Sequence, residues 1–105
     1  MYAVSFYDSD PDNTDPGHFA RLVETYPRHR VYLDEFAKSG QVLMIGTFGN
    51  PQTEGSMAIF TSREAAERFR DNDPFFVEGL VWRSRILDWN PLVLGDDGTL
   101  AGLTE

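Results

Sequence analysis

Cysteine is absent from the 105 residues. Its absence excludes disulfides, a thiol nucleophile and thiolate metal sites. Histidine is nearly absent too. His18 and His29 stand eleven positions apart, with no HExxH motif, so no histidine-based metal cluster can be read and no metal is expected. A serine nucleophile has no GxSxG elbow to sit on. Gly46-Thr47-Phe48-Gly49 holds two glycines but no lysine and no phosphate-loop spacing, so no nucleotide cofactor is expected. No apolar run approaches the ~20 residues that cross a bilayer. The opening MYAVSFYDSD has no basic n-region and does not read as a signal peptide. Basic residues are outnumbered 17 to 9, for a net charge of −8. That balance disfavours nucleic acid, whose phosphates need neutralising, and anionic membranes. A cytoplasmic location is expected.

What is present suits one folded domain. The hydrophobic content of 41% argues against disorder, and the length is near the commonest domain size. Tyr2–Tyr7 reads as a strand. The following DSDPDNTDPG is a loop by its turn chemistry. Its four aspartates lack the glycine and the terminal glutamate of a calcium-binding EF-hand loop. Phe19, Leu22 and Val23 have helical spacing. Pro27 then interrupts, which predicts a short helix, a break capped at Thr25, and a main helix over 27–39; one kinked helix is the alternative. His29, Leu33 and Phe36 share the inward face of that helix, and Gly40 ends it. Val42–Phe48 reads as a strand buried on both faces. Gly49–Gly55 is a turn and Ser56–Thr61 a third strand. Ser62 caps a helix over 63–72 that Asp73-Pro74 ends. Pro74–Gly79 is a short apolar turn and Leu80–Trp89 the last strand. Residues 95–105 are expected to be a flexible acidic tail beyond a domain spanning 1–94.

The order β-α-β-β-α-β predicts an α+β ferredoxin-like βαββαβ domain with an antiparallel four-stranded sheet. Helices cover one face of such a sheet. Yet the strands carry apolar residues on both parities, so the second face is an exposed apolar patch. A homodimer packed sheet against sheet would cover it. A monomer with its tail folded back is the alternative.

Chemistry has few places to sit. His29 is the one inward histidine, and alone it reads more readily as a structural residue than as a catalytic one. Asp73 is the carboxylate to set beside it. A hydrogen bond from His29 to Asp73 would fix the ring's tautomer and suit general acid–base work; ordinary helix-ending chemistry explains Asp73 as well. Arg83 and Arg85 alternate on one side of the last strand. They are candidates for an anionic substrate group, or for pairing with the excess carboxylates. Trp82 and Trp89 offer flat faces for a ring ligand, or core and interface anchors.

Three stretches together resemble the YciI-like (YCII-related) family. They are Tyr26-Pro27-Arg28-His29-Arg30-Val31-Tyr32-Leu33, Gly40-Gln41-Val42-Leu43-Met44-Ile45-Gly46 and Asp73-Pro74-Phe75-Phe76-Val77-Glu78-Gly79-Leu80. The resemblance runs from Met1 to about Leu92. It implies a dimeric α/β barrel with a His–Asp pair in each subunit, here His29 and Asp73. It further implies cofactor-free lyase or isomerase chemistry on a small, aromatic or lactone-like compound, as in a dehydrochlorinase branch of the family and in muconolactone isomerase of the broader superfamily. Haem-linked or monooxygenase activity is a third reading borrowed from the same barrel. A non-catalytic dimeric module that binds a small ligand or partner is the competing one. The chain departs from the family pattern at Thr47-Phe48, where proline is usual, and in its longer acidic first loop.

Overall fold

The computed structural model describes residues 1–103. Ten elements follow in order: β1 (Tyr2–Asp8), α1 (Pro16–Ala37), β2 (Val42–Thr47), α2 (Pro51–Glu54), β3 (Ser56–Phe60), α3 (Arg63–Asn72), α4 (Pro74–Val77), β4 (Arg83–Trp89), β5 (Leu92–Leu94) and β6 (Leu100–Gly102). Four strands form one antiparallel sheet in the order β2-β3-β1-β4. This is the ferredoxin-like arrangement, with α2 and α4 as single added turns.

Strand register assigns the two faces. Ala3 lies opposite Phe60, Ser5 opposite Ala58 and Ile86, and Tyr7 opposite Ser56 and Ser84. Ala3, Ala58 and Phe60 are in the core with Ala65, Ala66 and Phe69 of α3, so this parity faces the helices. Tyr32, Leu33 and Phe36 of α1 pack against that cluster. Phe36 meets Phe60 and Phe69 edge-on, with ring centroids 6.0 and 5.1 Å apart. The other parity carries Val4, Phe6, Met57, Ile59, Met44 and Leu87.

Local chemistry explains most boundaries. Ser62 Oγ accepts from the Ala65 amide at 3.1 Å and starts α3. Asp73 sits before Pro74 in an extended conformation, with ψ 126°, which stops α3 and caps α4. Where α1 starts differs from the expectation. It is one helix of 22 residues that passes through Pro27, and Asp15 rather than Thr25 is its cap. Asp15-Pro16 combines a capping carboxylate with proline at the first helical position, a stronger start than Thr25 offers. Pro27 removes one helical donor, and burial of Thr25 and His29 one turn apart holds the helix across it.

Two further expectations are corrected. β2 is an edge strand, largely exposed, not one buried on both faces; the order β2-β3-β1-β4 gives it a single neighbour. β4 begins at Arg83, because Gly79 has φ 72° and the Leu80 amide turns back to the Phe75 carbonyl at 2.9 Å. Within the expected tail, Thr104 and Glu105 lie outside the described residues, and β6 pairs back with β5, which precedes it, as a two-stranded hairpin. Its turn is set by Gly98 at φ 79° and by Asp97 Oδ1, which accepts from the Thr99 amide and hydroxyl. This hairpin is a separate sheet. On the open face of the main sheet Met44, Leu87 and Trp89 stay exposed at 69%, 51% and 40%, so the hairpin does not cover them.

Gly55 joins α2 to β3 at φ 81°, and a Cβ there would lie 2.1 Å from the Tyr7 carbonyl oxygen. Both the left-handed backbone and the contact with β1 require glycine. Gly55→Ala is therefore expected to lower unfolding stability by at least ~2 kcal/mol in urea denaturation, whereas Gly46→Ala, with open space around it, should change little.

Candidate functional site

His29 and Asp73 meet. His29 Nδ1 lies 2.7 Å from Asp73 Oδ1. Each is placed by the element that carries it. His29 is on the inward face of α1, in line with Thr25 and Phe36. Asp73 occupies the corner between α3 and α4, where the following proline holds the backbone extended and swings the carboxylate inward. Its side chain is fully buried, and that of His29 is 11% exposed.

A third residue, absent from the sequence-derived candidates, completes the group. Tyr7 of β1 donates its hydroxyl to Asp73 Oδ2 at 2.8 Å. The Phe75 amide adds a third donor to Oδ1 at 3.2 Å. A buried carboxylate with donors on both oxygens is fully satisfied, which is what burial of that charge requires. The one signal for Tyr7 in the sequence is its parity on β1, shared with Ala3 and Ser5.

The geometry fixes the imidazole. Asp73 accepts, so Nδ1 carries a proton and Nε2 is the nitrogen left for chemistry. Among the described residues Nε2 has no hydrogen-bond partner, and it is not sealed from solvent. Phe75 stacks on the ring at 4.2 Å and 14°, which holds its plane. Tyr26, half-exposed, stands 5.9 Å from the imidazole and 6.5 Å from Phe75, at the outer edge. Arg28 pairs with Glu78 and ties α1 to the end of α4.

Burial, and then the charge and hydrogen bond of Asp73, push the Tyr7 hydroxyl far above its ordinary value near 10. Tyr32, whose hydroxyl donates to the Phe69 carbonyl at 2.9 Å, is pushed up to about 12, chiefly by burial. Tyr7 is thus a donor throughout the neutral range.

Arg83, Arg85 and Trp82 lie apart from this group. Arg83 Nε and Arg85 Nε hold Asp8 Oδ2 at 2.8 and 2.6 Å, on the sheet face turned away from the helices. The Arg85 hydrogen bond keeps the Asp8 carboxyl below the usual carboxylate range. Of the two sequence readings of these arginines, the contacts present are carboxylate pairing. Trp82 is half-exposed before β4, with the Arg83 guanidinium 5.2 Å over its ring. Neither arginine nor Trp82 touches His29 or Asp73. No cluster of three metal-ligating side chains occurs among the described residues. No helix there is long and apolar enough to cross a membrane.

A ferredoxin-like sheet with a buried His–Asp pair under its helices defines a small α+β domain of one recurring type. Residues 2–90 match the YCII-related domain, and the chain belongs to that family. No curated protein matches it. Among solved structures it is similar to 5-chloro-2-hydroxyhydroquinone dehydrochlorinase (TftG) from Burkholderia phenoliruptrix AC1100, in complex with 2,5-dihydroxybenzoquinone. The TM-score is 0.63 at 21% identity, over 85% of this chain and 93% of that one. That likeness concerns the fold.

Tyr7 generates a pH prediction. A hydroxyl whose folded value is raised contributes stability that is fully present below the unfolded value near 10 and is lost as pH rises above it. Wild-type stability is expected to fall from about pH 10 upward. Tyr7→Phe should flatten that fall, and at pH 7 should cost about 1.5–3 kcal/mol for the donor lost to a buried charge. Chemical denaturation at pH 7, 9 and 11 checks both.

Proposed function

We propose that the protein is a cofactor-free lyase or isomerase acting on a small hydroxylated ring compound. The buried His29–Asp73 pair, with Nε2 unpartnered and reachable, carries this reading. His29 Nε2 takes a proton from a hydroxyl or ring carbon of the substrate. The electron pair left behind moves into the ring system. It either expels a leaving group such as chloride or takes up a proton at another carbon. Asp73 orients the ring and balances the imidazolium charge, and Phe75 holds its plane. The TftG structure binds a dihydroxybenzoquinone on the same fold, which favours hydroxylated rings as the first compounds to try.

The open sheet face supports a second part of the reading, a homodimer packed sheet against sheet. Met44, Leu87 and Trp89 expose apolar surface there. The Asp8–Arg83–Arg85 group shares that face. A two-fold pair would bury both together.

With chlorinated and non-chlorinated hydroxyhydroquinones as substrates, His29→Gln is expected to lose 10²–10⁴ in turnover, the range of a general base, while keeping its circular dichroism spectrum. Full activity in that variant overturns the catalytic reading. So does retained ligand binding with no turnover by the wild type, which marks a binding module. Sedimentation equilibrium at micromolar concentration should give twice the 11.9 kDa chain mass; a monomer there removes the dimer.

A further inference from the structure

Next to the His–Asp pair, the helix-facing side of the sheet has a crevice that the account so far leaves unused. Ser5, Tyr7, Ile45, Ser56, Phe60 and Phe69 line it. Its volume, about 20 Å³, is that of one oxygen-sized occupant. Tyr7 belongs to both places. It lines the crevice and reaches Asp73 with its hydroxyl. Ser5 is only 5% exposed, in the middle of the sheet, with Ala58 and Ile86 as its cross-strand neighbours. Among the described residues neither Ser5 Oγ nor Ser56 Oγ has a hydrogen-bond partner, yet neither is sealed from the crevice. Ser84, opposite Tyr7 on β4, also lacks a partner, but its Oγ is closed off and it does not line the space. A buried hydroxyl that finds nothing within the protein is costly where alanine would pack equally well. Ser5 is such a hydroxyl, and with the half-buried Ser56 beside it on one apolar-walled space it marks a place for an external oxygen.

We infer that this crevice is a hydroxyl subsite, in which Ser5 Oγ and Ser56 Oγ hold one hydroxyl group of a small hydroxylated ring compound beside the His29–Asp73 pair. The register supports two-point contact, because Ser5 and Ser56 are diagonal neighbours on one face, across from Ala58 and Tyr7. Ile45 and Phe69 supply apolar walls for the ring edge. The inference deepens the proposed function by giving the substrate a second anchor, and it rests on that reading only for where the rest of the ring lies. A solvent water has the same hydrogen-bonding chemistry, so the test must separate the two occupants.

Hydroquinone and toluene are titrated into the full chain by NMR, in wild type, Ser5→Ala, Ser56→Ala and the double variant. The double variant is expected to bind hydroquinone about tenfold more weakly, with toluene binding unchanged and the melting temperature equal or higher. Equal losses for both probes mean altered packing and overturn the inference. An unchanged hydroquinone affinity, or none in the wild type, marks a water site only and overturns it as well. The two proposals fail separately. Selective loss of hydroquinone in the serine variants with full turnover in His29→Gln keeps the subsite and removes the base. Loss of turnover in His29→Gln with indifferent serine variants does the reverse.

Discussion

The carboxylate of Asp73 is the constraint around which the molecule closes. It is fully buried, and it is acceptable there because three donors from three segments converge on it: the His29 ring on α1, the Tyr7 hydroxyl on β1 and the Phe75 amide at the start of α4. Removing water from a charge costs several kcal/mol unless such contacts replace it. The same bonds that make the burial tolerable also orient the imidazole. Holding the fold together and aiming Nε2 are therefore one act, and a change in any donor alters both.

Much of this could be read from the residues, for identifiable reasons. Ser62 and Asp73-Pro74 mark their boundaries through short-range chemistry, which does not depend on distant packing. The spacing of His29, Leu33 and Phe36 turns His29 inward, and alternating strands and helices give the sheet its order. What could not be read depends on contacts far apart in the chain. Tyr7 shows only a parity; that its hydroxyl ends at Asp73 follows from which helix lies over β1. The continuous α1 stands only as the alternative in the sequence because Pro27 is a local breaker that tertiary burial overrides. β2 has the composition of a central strand, and only the strand order reveals it as an edge. The β5–β6 hairpin was concealed by a glycine- and aspartate-rich turn that has the composition of a flexible tail.

The sheet's two faces divide the work. One meets the helices and closes an aromatic core around Phe36, Phe60 and Phe69. The other leaves apolar side chains exposed and ends in the Asp8–Arg83–Arg85 group, where one carboxylate holds two guanidinium groups across β1 and β4. A charged cluster within an apolar surface favours one alignment of a covering layer over its slipped alternatives, since misplacing it leaves charges unpaired.

The separation along the chain between Tyr7 and Asp73 has a kinetic meaning. These hydrogen-bonding partners stand 66 positions apart, and His29 and Asp73 stand 44 apart. Contacts of that span form late, after the intervening loop entropy has been offset by local helices and hairpins. The ordered imidazole is thus a sign of completed topology. A growing chain on the ribosome cannot assemble it before α4 has been synthesised, so the ordered His29–Asp73 pair arrives with the last third of the domain.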